Sequence, residues 1–228
     1  LAALKAGDTD RAISELREAV RVDAAASNAS LALATIYLER GDWDNAVQFA
    51  TIHVEKRDRA SAQAFSVAVR AATGAKQYDT ARAMLENMSR LKGVEMLVLL
   101  ERAGVERAAK GPEASLAVLA GAKLDLTDPR NEAVLRAVAE DLLATKKSEQ
   151  ALSKIDAAVA AHPESAPLLE LRGAALARAG RIGDANAAFE KASAADPSNA
   201  RALVGLATLA AAGGDVPRAV ELLDRAAA

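Results

Sequence analysis

The sequence predicts an all-α fold, an αα-superhelix (solenoid) of about six and a half helix pairs, and three observations carry that prediction. First, an alanine recurs at Ala12, Ala46, Ala81, Ala151, Ala185 and Ala219, with Ser115 in the slot between Ala81 and Ala151, so a small residue returns about every 34 residues. Second, Pro129, Pro163 and Pro197 keep the same beat. Third, alanine supplies about a quarter of the 228 residues and aromatics only 3%, a composition suited to helices in close contact. A fixed period of this length marks stacked supersecondary units, each packing mainly on its neighbours. The chain is therefore read as a single array over 1–228, truncated at both ends, with units near 1–26, 27–61, 62–95, 96–131, 132–165, 166–199 and 200–228.

The elements follow from the clearest unit. Leu169, Gly173, Leu176 and Ala177 lie at three- and four-residue spacing on one helix face, and Gly180 ends that helix. Ala185, Ala188, Phe189 and Ala192 mark the partner helix, which Asp196-Pro197 stops because proline cannot continue the ladder. The same logic places helices near 9–22, 27–40, 43–57, 60–74, 78–91, 94–110, 112–121, 131–145, 148–161, 165–179, 182–195, 199–213 and 216–228. Gly-Asp turns at Gly7, Gly41 and Gly214 separate helices within three of the pairs. The fourth unit departs most: two extra residues precede Pro129, which makes the Lys123–Asp128 connection the expected irregular point. The apolar residues of Met96–Ala109 fit two helical phases, so the core-facing side of that helix stays open at this stage.

These residues resemble the tetratricopeptide repeat family, whose unit has large apolar residues at its fourth, eleventh and twenty-fourth slots, small ones at the eighth, twentieth and twenty-seventh, and proline at the thirty-second. Here one unit supplies Leu169, Gly173, Leu176, Ala185, Phe189, Ala192 and Pro197, and the preceding one Leu135, Ala139, Leu142, Ala151, Ile155, Ala158 and Pro163. The resemblance covers essentially the whole chain. It implies a right-handed superhelix and a non-enzymatic scaffold that binds a protein or peptide in a concave groove. More narrowly, the Ala-rich units, Gly-Asp turns and Asp-Pro ends resemble large bacterial cell-envelope proteins of this family. These include the lipoproteins linked to exopolysaccharide export and PEP-CTERM sorting, and the resemblance implies a periplasmic location.

Composition excludes much else. A net charge of −2 gives no electrostatic case for nucleic acid, and no apolar run approaches the ~20 residues of a membrane span. There is no Cys. The two histidines, His53 and His162, have no second ligand at metal spacing, and no phosphate loop or nucleophile elbow appears, so neither catalysis, metal nor cofactor is expected. His53 falls in a slot usually filled by a small buried residue and reads as packing; His162 reads as a helix-end residue. Trp43 reads as the cover of a repeat junction.

In such arrays the second, fifth, ninth and twelfth slots of each first helix point into the groove. The polar residues in or near them are Asn28, Thr35, Gln63, Ser66, Arg70, Arg136, Glu140, Glu170, Arg201 and Thr208, the candidate partner-binding set. The carboxylate clamp of chaperone-tail adaptors is missing, because Thr35, Arg70, Glu140, Ala174 and Thr208 stand where its asparagines recur and Glu140 and Glu170 repel a carboxylate. Arg70 and Arg136 are expected to be exposed and replaceable without unfolding. Two other readings remain: a spacer or self-associating array, and the regulatory segment of a larger enzyme. The chain opens inside a repeat without Met, and Val220, Leu223 and Ala227 form an uncovered stripe on the last helix, so a longer array with its final face covered by another chain is expected.

Overall fold

The computed structural model describes residues 9–23, 28–56 and 61–227, and every described element is helical. The order is α1 (Thr9–Val22), α2 (Ala29–Glu39), α3 (Trp43–Lys56), α4 (Ala62–Gly74), α5 (Tyr78–Met88), α6 (Glu95–Lys110), α7 (Pro112–Gly121), a 3₁₀ turn (Pro129–Asn131), α8 (Glu132–Ala144), α9 (Ser148–Ala161), α10 (Ala166–Arg178), α11 (Ile182–Ala195), α12 (Ala200–Ala212) and α13 (Val216–Ala227). This is the helix-pair fold the repeat predicts. The Gly7 turn lies outside the described residues. The largest boundary difference is in α5, which stops at Met88: the Ser89 hydroxyl donates to the Glu86 carbonyl, and the chain then turns through Gly93 at φ 74°.

Five of the first helices, α6 excepted, end in one recurring way. The residue at the turn adopts a left-handed conformation, at Gly41, Lys76, Lys146, Gly180 and Gly214. The next N–H reaches back five residues: Asp42 to Tyr37, Gln77 to Ala72, Lys147 to Leu142, Arg181 to Leu176 and Asp215 to Ala210. Such a closure satisfies carbonyls that the last turn leaves without helical partners.

The chain divides into two compact units, residues 1–118 and 119–228. In each, a first helix packs on its own second helix and on the first helix of the next repeat: α2 on α4 and α4 on α6 in one unit, α8 on α10 and α10 on α12 in the other. The seven small residues of the 34-residue beat are all buried, Ser115 included. They lie where helices approach, and a larger side chain there would force the axes apart.

Bulk is redistributed where the pattern varies. In the second repeat the fourth slot is Ser30 and the twenty-seventh is His53, so the small and large residues have changed places. Both are buried, with the Ser30 hydroxyl 3.2 Å from His53 Nδ1. The packing role expected of His53 is what the structure shows. In the sixth repeat Phe189 lies between Gly173 and Gly205, where a Cβ would come within 2.7 Å and 2.6 Å of its ring. Helix α6 resolves its phase by burying Val98, Ala103 and Val105.

The Lys123–Asp128 connection is an ordered loop. Asp125 accepts from the Thr127 amide and hydroxyl, Asn131 donates from its side chain to the Asp125 carbonyl, and Asp128 accepts from the Arg130 amide. Arg130 also holds the Asp128 carboxyl down to about 2.

Candidate peptide-binding face

Because first helices neighbour one another within each unit, their exposed sides form a face in each, and the ten candidate residues divide by what they already hold. Asn28, Thr35 and Gln63 come together, lining with Leu31 and Ser61 a depression of about 410 Å³. Thr35 and Thr208 each spend their hydroxyl on the carbonyl four residues earlier, Leu31 and Val204. Ser66 donates to the Glu101 carboxylate. Burial raises the pKa of Glu101, an effect the Ser66 hydrogen bond and the Arg70 charge oppose.

Arg136 and Glu170, although both were expected to face a partner, hold each other. Their side chains meet at 2.6 Å across the α8–α10 contact, and Glu132 joins Arg136 at 3.0 Å. Glu170 is 5% exposed and the Arg136 side chain 18%. The expectation that Arg136 is an exposed, replaceable residue is corrected on this geometry: without it Glu170 is a buried carboxylate with no guanidinium. Glu140 and Arg201 are exposed. Arg70 and Arg201 make no ion pair or hydrogen bond among the described residues, which leaves them the two uncommitted guanidinium groups among the ten candidates.

Sequence reasoning did not assemble the cleft beside Arg70. It measures about 280 Å³ and is bounded by Leu38 of α2, Trp43 at the start of α3, Arg70 and Thr73 of α4, and Glu101, Gly104 and Val105 of α6. Trp43 covers a repeat junction as expected: its indole lies so close over Gly74 that a Cβ there would stand 2.4 Å from Cε3. Trp43 as a whole residue is still 40% exposed. Glu101 sits 35 residues after Ser66, one repeat further on, a spacing that would have flagged it had the phase of its helix been known.

His162 terminates α9, its backbone N–H bonded to the Ala158 carbonyl. Among the described residues no cluster of His, Cys, Asp and Glu could hold a metal ion, and no helix is long and apolar enough to cross a membrane.

Two family models, both described as tetratricopeptide repeat, match residues 1–64 with 137–185, and residues 176–228, together about two thirds of the chain. The chain belongs to the tetratricopeptide repeat family. Proteins of this family generally act as non-enzymatic scaffolds that bind peptides or proteins. No curated relative matches. Among solved structures the chain is similar to the Pseudomonas aeruginosa pilF protein, at 19% identity over 92% of this chain and 90% of that one, with a TM-score of 0.49. It is also similar to YrrB, described as a TPR protein with an unusual peptide-binding site (19% identity, 82% and 95% covered, TM-score 0.43). A MamA RS-1 variant gives 20% identity, 72% and 92% covered, and a TM-score of 0.46.

The last helix differs from the others of its kind. Its twenty-fourth-slot residue, Leu223, is 47% exposed, whereas Leu16, Ala50, Leu85, Leu119, Ile155 and Phe189 in the same slot are buried. Val216 and Val220 continue the exposed stripe at helical spacing.

Proposed function

We propose that the chain is a scaffold that holds a peptide or protein segment across the first-helix face. The observation that carries this reading is the state of Arg70: exposed, bonded to no described residue and placed at a cleft beside the exposed Trp43. Several such modest contacts along an extended surface add up to useful affinity. Capture of partners from native extract by the wild type and by an Arg70→Ala/Arg201→Ala variant tests it. Partners lost by the variant support the reading, and an identical partner set overturns it.

A second reading has its own observation, the stripe of Val216, Val220 and Leu223. It makes the outer face of α13 a self-association surface. Sedimentation velocity over a wide concentration range decides, since a monomer at every concentration removes it. The narrower placement in bacterial envelope polysaccharide export or protein sorting draws its support from the texture of the units alone. Recovery of the native protein in the cytosolic fraction overturns that placement.

A further inference from the structure

The cleft of Trp43 and Gly104 has a chemistry more specific than the face around it. Its apolar lining comes from Leu38, Val105 and Trp43. Gly104 borders it with no side chain, and a Cβ built there meets nothing within 4 Å. Two polar groups stand at it with opposite charge, Arg70 and Glu101, each within the other's electrostatic reach. A charged guest side chain of either sign is attracted by one of the two groups and repelled by the other, so its charge gains little to offset its lost hydration. An uncharged residue gives up no charge hydration on entry, and its backbone brings an acceptor for Arg70 and a further donor for Glu101, which already accepts from Ser66. At about 280 Å³ the space falls just below the ~300–1,000 Å³ of small-molecule pockets, which suits one side chain rather than a cofactor. An aromatic guest gains offset stacking on the indole beyond its buried area.

We propose that this cleft is the anchor pocket of the peptide-binding face. It takes one large uncharged apolar or aromatic side chain of the partner, laid against Trp43, while Arg70 and Glu101 pair with the backbone of that residue. The proposal rests on the peptide-scaffold reading and gives it a ligand class. It also sets Arg70 to work on a carbonyl oxygen, not on an acidic side chain.

The test selects a displayed random-peptide library on the immobilised protein. Enriched peptides lacking tryptophan are then titrated with the emission of Trp43, the single tryptophan of the chain, as reporter. Enriched peptides should share a Phe, Tyr, Leu, Ile or Met whose replacement by Ala, Lys or Glu weakens binding by at least about tenfold. They should bind Gly104→Leu and Gly104→Gln at least about tenfold more weakly. Circular dichroism and thermal melting must show both variants folded, and the polar Gln variant serves where Leu perturbs the helix. Peptides that bind the filled variants as well as the wild type overturn the pocket and leave the broader face reading standing. Enrichment of Lys, Arg, Asp or Glu at the shared position overturns the proposed guest. A library that yields no binder overturns both readings.

Discussion

In the sixth repeat a phenylalanine fills the space between neighbouring first helices, whereas the same slot in the second and third repeats holds Ala50 and Leu85. There the aromatic bulk has moved elsewhere. Tyr37 and Phe49 stack at 5.7 Å with the Arg17 guanidinium over both rings, and Trp43 lies on Gly74. The first unit also buries Ser30 with His53 and bonds Ser66 to Glu101. In the second unit the Arg136–Glu170 pair occupies the corresponding part of the first-helix face and is closed upon itself. The same scaffold therefore uses polar side chains in two ways. In residues 119–228 Arg136 and Glu170 tie two repeats together, and in residues 1–118 Arg70 and Glu101 stand at an open cleft.

The largest expected effect comes from breaking the tie. Arg136→Ala leaves Glu170 buried without its partner and should cost about 3 kcal/mol in urea unfolding. Arg136→Met/Glu170→Leu should recover most of that loss. A cost below about 0.5 kcal/mol for Arg136→Ala would erase the distinction between the two units. Next come the glycines. Gly173→Ala drives a Cβ into the Phe189 ring and should destabilise by about 1–3 kcal/mol despite the better helix propensity of alanine. Gly104→Ala, with open space around it, should stabilise by about 0.5–1 kcal/mol. Opposite signs at two mid-helix glycines would show that the cleft is free of packing constraint.

A third effect concerns acid. Arg82 and Lys110 hold the Glu106 carboxyl down from 4.5 to about 2. A carboxyl depressed in the folded state adds stability above its unfolded pKa and loses it as pH falls through the folded one. The α5–α6 junction should thus weaken between pH 4.5 and about 2, by about 1 kcal/mol for a network partly open to solvent. The pH dependence of wild-type unfolding minus that of Glu106→Gln measures it. Smallest is Arg70→Ala, expected to change stability by less than ~0.5 kcal/mol while weakening partner binding.

Helix placement was legible because the repeat states the same pattern seven times, and each small residue at the twentieth slot marks a buried crossing. Arg136 and Glu170 were both identified, yet their pairing was missed although they stand 34 residues apart with opposite charge. One repeat of separation on a shared helix face is a contact distance in a stacked array, and that arithmetic was available. Trp43 on Gly74 was harder, because nothing at a 31-residue separation signals that a glycine makes room for an indole. Glu101 was hidden by the two-phase pattern of its helix, whose apolar residues do not by themselves choose a buried side.

The left-handed closure of the first helices has a consequence in time rather than in energy at rest. Gly41, Gly180 and Gly214 enter that conformation freely, whereas Lys76 and Lys146 do so at φ 60° against a cost of about 1 kcal/mol each. The backbone amides that seal those two turns, at Gln77 and Lys147, are therefore expected to exchange hydrogen for deuterium ahead of the amides that seal the three glycine turns. Amide exchange followed by NMR checks this: Lys76→Gly and Lys146→Gly should slow Gln77 and Lys147 to the pace of Asp42, Arg181 and Asp215.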